Sequence, residues 1–260
     1  MKIASRLGLI TSIVSFLIII GPIIGFRIGL NDFRLVFTHF QFMGKGLPLG
    51  ESGLGLYGLL IILGALLGIV GGILGVKAKS YKSGITALLI GVIVLIGIYF
   101  GPISMVKTAR SVPPIHDIST DMLNPPQFIA VLPLREGAPN PPEYASEFSE
   151  QQANAYPDIQ TLVVANTGFE SVFSSAESAI KKMGMELVAS DINDGRLEAV
   201  WTSPIFAFKD DFVVRIQSVS NSGTDNTVLV DVRSKSRLGR SDLGANAKRI
   251  REFLDLMQSN

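Results

Sequence analysis

The chain has 260 residues, with 23 Lys/Arg against 22 Asp/Glu, two His and no Cys, for a formal net charge of +1. Without thiols there can be no disulfides, thiolate metal sites or cysteine nucleophile. Two isolated imidazoles, His39 and His116, make a poor ligand set for zinc or iron, so no metal and no cofactor is expected. The near-neutral total conceals an uneven split: residues 1–106 hold eight Lys/Arg and two Asp/Glu, and residues 107–260 hold fifteen and twenty. An acidic C-terminal part argues against a nucleic-acid partner, which needs a basic face.

Three charge-free apolar runs, Leu7 to Phe26, Leu54 to Val76 and Ile85 to Val106, are each about as long as the roughly 20 residues that cross a bilayer. The first follows Lys2 and Arg6 but is long and lacks an A-x-A-like site, so it is read as a retained span rather than a signal peptide. Lys77, Lys79 and Lys82 fill the short loop between the second and third runs. Basic residues collect on the cytoplasmic side. This puts the C-terminal domain on the far side of the membrane, the periplasm if the membrane is a bacterial inner membrane, although Arg27, Arg34 and Lys45 weaken the bias. The loop "NDFRLVFTHFQFM" carries Phe33, Phe37, Phe40 and Phe42, aromatics suited to the headgroup level. Gly64, Gly68 and Gly72, with Gly71 and Gly75 beside them, predict a flat stripe on the second span for close helix packing. The runs contain no intramembrane charge to carry ions or protons, which argues against transport.

Nine of the thirteen prolines lie between Pro113 and Pro157, which predicts an extended, irregular arm. Phe169, Val172, Phe173, Ala176, Ala179, Ile180 and Met183 then recur at helical spacing, with Gly184 as a C-cap. Strand-like runs follow at 185–190, 196–202, 211–219 and 227–234, separated by turn signals. A closing helix from Ser241 or Asp242 aligns Leu243, Ala247, Ile250, Leu254 and Met257. The expected organisation is a three-helix transmembrane region over 1–106, a Pro-rich arm over 107–157 and a soluble α+β domain over 158–260. In that domain an antiparallel four-strand meander carries two helices on one face.

Strand alternation puts Leu197, Ala199, Trp201, Phe212, Val214, Ile216, Val228, Val230 and Val232 on one face. Arg196, Glu198, Arg215, Asp231 and Arg233 fall on the other. Arg237 and Asp242 continue this set toward the last helix. These seven residues form the candidate ligand-binding set. They read either as a solvated charge ladder or as an open-face site where arginine forks hold an anionic group. The helix start near Asp242 could likewise hold a phosphate, or Ser241 or Asp242 could cap it instead. No catalytic residue is assigned. His116 with Asp117 and Asp121, the pair Asp210–Asp211, and Ser236 or Ser241 near Arg237 lack the spacing of a catalytic motif. His116 is read as structural and Asp210–Asp211 as a turn.

The motifs "HDISTD" and "PPQF" (116–128), "YP" (156–157), "GRLEA" (195–199), "FKDDFVVRI" (208–216) and "VDVRSKSRLGRSDLGANAKRIREFL" (230–254) resemble the bacterial domain-of-unknown-function family 1499 over about 115–257. The resemblance implies an envelope or lumenal domain, often preceded by membrane helices, with no established activity. Met185 departs from it, since "GW" is expected after the helix glycine. The function expected is that of a membrane-anchored periplasmic protein binding an anionic envelope ligand or partner through its charged sheet face. A structural or interaction subunit of an envelope complex is the alternative, and an uncharacterised hydrolase the third reading. The partners expected are the lipid bilayer and an anionic small molecule, a lipid or an envelope protein.

Overall fold

The structure, a computed structural model, describes residues 2–32, 35–36, 56–220 and 226–259. Phe33, Phe37, Phe40, Phe42 and His39 lie outside the described residues. Two compact units result, Met1–Arg110 and Ser111–Asn260.

In the first unit, helices α1 (Lys2–Arg27), α2 (Leu56–Lys77) and α3 (Tyr81–Ile98) supply three stretches long and apolar enough to cross a membrane. Beyond α3 the helix continues through a π-type turn, Tyr99–Ile103, into α4 (Ser104–Ser111). Pro102 lies in that turn, where its missing amide N–H interrupts the regular ladder. Ile61 of α2 and Val94 and Ile98 of α3 form a small buried apolar cluster, but α1 is packed largely inside out relative to a helix of a soluble bundle. Ser5, Gly8, Ser12 and Ser15 of α1 are buried, while Leu7, Ile10 and Leu17 are more than half exposed. Lipid is as apolar as leucine, so large side chains gain nothing by turning inward, and small ones let the backbones touch. A Cβ on Gly71 would stand 2.7 Å from the carbonyl oxygen of Ala4 and 2.8 Å from Cα of Gly8. A Cβ on Gly72 would stand 2.7 Å from the Gly84 carbonyl of α3. The glycine stripe therefore packs α2 against both neighbours, as its spacing predicts. Ser12 Oγ adds a hydrogen bond of 3.0 Å to the Ala87 carbonyl.

In the second unit the chain runs β1 (Asp117–Ser119), α5 (Ser149–Ala155), β2 (Leu162–Ala165), α6 (Phe169–Lys182), β3 (Glu186–Asp191), β4 (Arg196–Thr202), β5 (Lys209–Ser220), β6 (Asn226–Ser236) and α7 (Ala245–Gln258). The sheet is antiparallel in the order β1-β6-β5-β4-β3, and β2 also pairs with β6. β1 pairs with Arg233–Lys235 and β2 with Thr227–Val230, so the two short strands lie end to end along one edge of β6. The expected four strands are thus a correct but incomplete sheet. β1 and β2 are only three and four residues long, too short for an alternation to show, and β1 lies just after Pro113 and Pro114. The last helix begins at Ala245 rather than near Ser241, because Leu243 and Gly244 sit at φ 55 and 79, outside helical geometry.

The predicted apolar face forms the core. Leu197, Phe212, Val214, Val230 and Val232 are wholly buried against Phe173, Ala176 and Ile180 of α6 and Ala247, Ile250 and Phe253 of α7. Met185 is buried in this cluster, a thioether filler where the family pattern leads one to expect an aromatic. Gly195, at φ +62, is needed twice over: its conformation disfavours a side chain, and a Cβ there would collide with the Ile216 carbonyl oxygen.

Candidate functional site

The other face of the sheet is not open. Residues of the arm between Asp117 and Tyr144 cross it and meet its polar side chains. Phe128 and Val131 pack on Val200 and Val213 in a small second core. Around that apolar patch the charged residues divide into separate clusters.

Asp117 anchors the first. It stands opposite Lys235 in the β1–β6 register, and its carboxylate accepts two bonds from Arg233, Nε at 2.9 Å and Nη2 at 2.8 Å. Lys235 Nζ adds a third at 2.9 Å. Arg233 also donates to the carbonyls of Pro126 and Pro142, and its guanidinium lies 4.7 Å from the Phe128 ring centroid and 5.4 Å from that of Tyr144. All three charged side chains are at most 1% exposed. Burial lowers the Lys235 pKa, and Asp117 offsets part of that effect.

Asp211 anchors the second cluster. Arg237 reaches it through Nε and Nη2, the latter at 2.7 Å, and Arg135 pairs with its second oxygen. Arg237 also donates to the Leu134 carbonyl and Arg135 to that of Asn140 at 2.8 Å. Neighbouring Asp210 pairs with Arg249 of α7 at 2.8 Å, and that guanidinium lies 4.4 Å from the Trp201 ring centroid. Asp210 and Asp211, which read as a turn in the sequence, are therefore buried strand residues, each with arginine partners.

In the third, Arg215 binds Asp231 at 2.8 Å, Asp121 at 2.9 Å and the Asn124 carbonyl at 2.8 Å. Asp231 accepts further bonds from Thr120 and Thr161. Arg196 faces Arg215 in the β4–β5 register. A like-charged pair there is unfavourable, and Arg196 is neutralised instead by Asp194 at 3.0 Å and by proximity to Glu198.

Glu198 makes a fourth kind of contact. Its two oxygens accept the backbone amides of Ile129, Ala130 and Val131 at 2.9–3.1 Å. Successive amides of this sort form a concavity that holds anions, and here the chain's own carboxylate fills it.

Asp242 lies at the start of α7, where its oxygens accept the amides of Gly244 and Asn246, both at 2.8 Å. The N-cap position is Gly244, which has no side chain to cap with, and Asp242 from two residues earlier occupies amides that a phosphate would need. Burial pushes its pKa up to about 6 despite those two bonds. Asn246, a poor helix former, bonds the His116 carbonyl, Ser234, Ser236 and Arg249. His116 stacks edge-on against Phe148, and burial lowers its pKa.

Of the seven predicted residues, Arg215 and Asp231 meet directly, as do Arg196 and Glu198. Arg233, Arg237 and Asp242 each belong to other clusters. Sequence reasoning misses Lys235, because the predicted last strand stops at 234 whereas β6 continues to Ser236. One more step of the same alternation places Lys235 beside Arg233. Arg135 carried no such periodic signal. Among the described residues no cluster of three or more His, Asp or Glu could hold a metal ion.

An antiparallel sheet closed on one side by two helices and on the other by its own N-terminal arm, in a chain with three apolar helices, defines the class. The family model described as "Protein of unknown function (DUF1499)" matches residues 117–257, and the chain belongs to that family. The match begins at Asp117, the first anchor of the charged network. No curated protein matches the chain.

Proposed function

We propose that this chain is a membrane-anchored interaction subunit of the bacterial envelope, with its soluble domain on the periplasmic side of the inner membrane. The observation that carries this reading is how the polar and apolar groups are divided. The charged face, which would have gripped an anionic ligand, has its cations paired internally beneath the arm. On the outer side of the arm, large apolar side chains are left to solvent: Leu123 is 100% exposed, Ile129 52%, Leu134 51% and Leu132 41%. Four such residues within twelve positions are more than scattered surface leucines, and exposed apolar ridges mark contact surfaces. The occupant that fits is a protein with an apolar face. The arm beneath the ridge is pinned by Glu198, Arg237 and Arg233, so it offers a rigid template at little ordering cost.

Photo-crosslinking residues placed at Leu123, Leu132 and Leu134 in living cells test this, with Asn193 on the exposed β3–β4 turn as control. The expected result is one discrete protein adduct from the arm positions, lost in a Leu132→Asp/Leu134→Asp background that melts like wild type. Adducts to lipid alone would assign the ridge to the membrane surface and refute the protein partner, and so would equal adducts from Asn193.

The positive-inside bias supports the orientation. The absence of native cysteine makes a labelling test clean: Asn193→Cys should react with an impermeant maleimide in intact spheroplasts and Ser80→Cys only after lysis. The reverse pattern would place the domain in the cytoplasm.

A further inference from the structure

At one end of the helix bundle four cations, Lys2, Arg6, Lys79 and Lys82, line a single cleft of about 470 Å³. Lys2 and Arg6 are i and i+4 on α1, a like-charged pair that disfavours the helix when nothing compensates it. Lys79 comes from the tight α2–α3 turn and Lys82 from the first turn of α3. That turn is held by the Ser80 amide bonding the Gly75 carbonyl at 2.8 Å, with Lys79 in the left-handed region at φ 62. Ser5 and Ser83 join α1 to α3 across 2.9 Å beside the cleft, which keeps the two pairs of cations from drifting apart. Asp32 is the one acidic residue among the described residues of this unit. It follows the opposite end of α1, a helix of 26 residues and so about 39 Å long. No described carboxylate neutralises the cleft.

Topology alone would be satisfied by lysines scattered over the loop. It does not require residues from two segments distant in sequence to converge on one cavity. All four cations are exposed; like charges gathered there repel one another, and an anion that binds between them relieves the repulsion. Ser80, at the start of α3, provides no side-chain cap, so the positive end of the helix adds to the same field. Tyr81 is exposed beside the cleft, an aromatic of the kind that sits at headgroup depth.

We propose that this cleft binds the phosphodiester headgroup of an anionic glycerophospholipid, with Arg6 and Lys82 as principal contacts and Lys2 and Lys79 beside them. The inference rests on the three apolar helices lying in a bilayer and is independent of the partner proposed for the arm.

Binding is measured on the full-length protein in neutral detergent, with phosphatidylglycerol and phosphatidylcholine as probes. Each basic residue near an anionic lipid contributes about fivefold in affinity, so Arg6→Gln/Lys82→Gln should weaken phosphatidylglycerol binding about 25-fold and bring it close to that of phosphatidylcholine. The charge-matched Arg27→Gln/Lys107→Gln, outside the cleft, should leave it within about twofold. In wild type the preference for phosphatidylglycerol should fall steadily with added salt, a readout that needs no variant. Equal loss in both double variants would reduce the effect to general surface charge. Full displacement by millimolar inorganic phosphate would make this a free-anion site. No preference between the two lipids would end the proposal outright.

Discussion

Asp117→Ala should lower the melting temperature of the soluble domain by about 10 °C or leave it unfolded. Arg233 and Lys235 both depend on this one carboxylate, and neither side chain is more than 1% exposed. Removing one partner from a buried ionic cluster costs about 3–5 kcal/mol, because the charges left behind have no solvent to turn to. For a domain of this size each kcal/mol shifts the midpoint by roughly 2–4 °C. Arg251→Ala removes an ion pair too, that with Asp158, but both its partners are substantially exposed and the loss should be within about 1 kcal/mol. A triple change, Asp117→Leu/Arg233→Met/Lys235→Met, should recover much of what Asp117→Ala loses, because it removes the unpaired charges along with the pair. Melting of the full-length chain in detergent, followed by the near-ultraviolet signal of Trp201, reads all three. If Asp117→Ala melts within about 2 °C of wild type, the network is not holding the arm to the sheet.

Gly71→Leu should disrupt the helix bundle, whereas Gly21→Leu should not. A Cβ at Gly71 meets backbone on both sides, the Ala4 carbonyl and Cα of Gly8. Backbone cannot rotate out of the way as a side chain can, so α1 must move away from α2. Around Gly21 there is nothing within 4 Å of the added atom, and leucine there enters lipid-facing space. Overpacking of this kind costs about 1–3 kcal/mol, and because the bundle has no hydrophobic drive of its own in lipid that loss is a large share of its cohesion. Thermal aggregation of detergent-purified variants gives the comparison. Equal stability of the two variants would show that the stripe reflects composition rather than contact.

The parts of this fold that were legible in the sequence are those with a period. Alternation over seven to twelve residues placed Val214 inward and Arg215 outward, and helical spacing placed Phe173 and Ile250. Charge-free length marked the apolar helices, and glycines four apart marked their contact face. The arm carries no period. Nothing local says that the amides of Ile129, Ala130 and Val131 will close on Glu198, some 70 residues later, or that Asp117 will find Lys235. Arginine on the second face was a true signal of bidentate carboxylate recognition, but the sequence could not say whose carboxylate it would be. The chain supplies its own, through residues that its motifs already contained.

The arm and its anchors have a consequence for the order in which the protein can be made. Asp117 and Lys235 are 118 positions apart, and Arg135 closes on Asp211 across 76. The ribosome delivers the arm long before the strands that receive it. At about 5–20 residues per second, Asp117 waits roughly 6–24 s for Lys235 with neither partner nor cover, and contacts of such long range form slowly in any case. The two halves of the clasp can join only when β6 is complete. During that interval the nascent domain depends on whatever shields its arm from solvent and from other chains, and a chain that ends before Lys235 can never close.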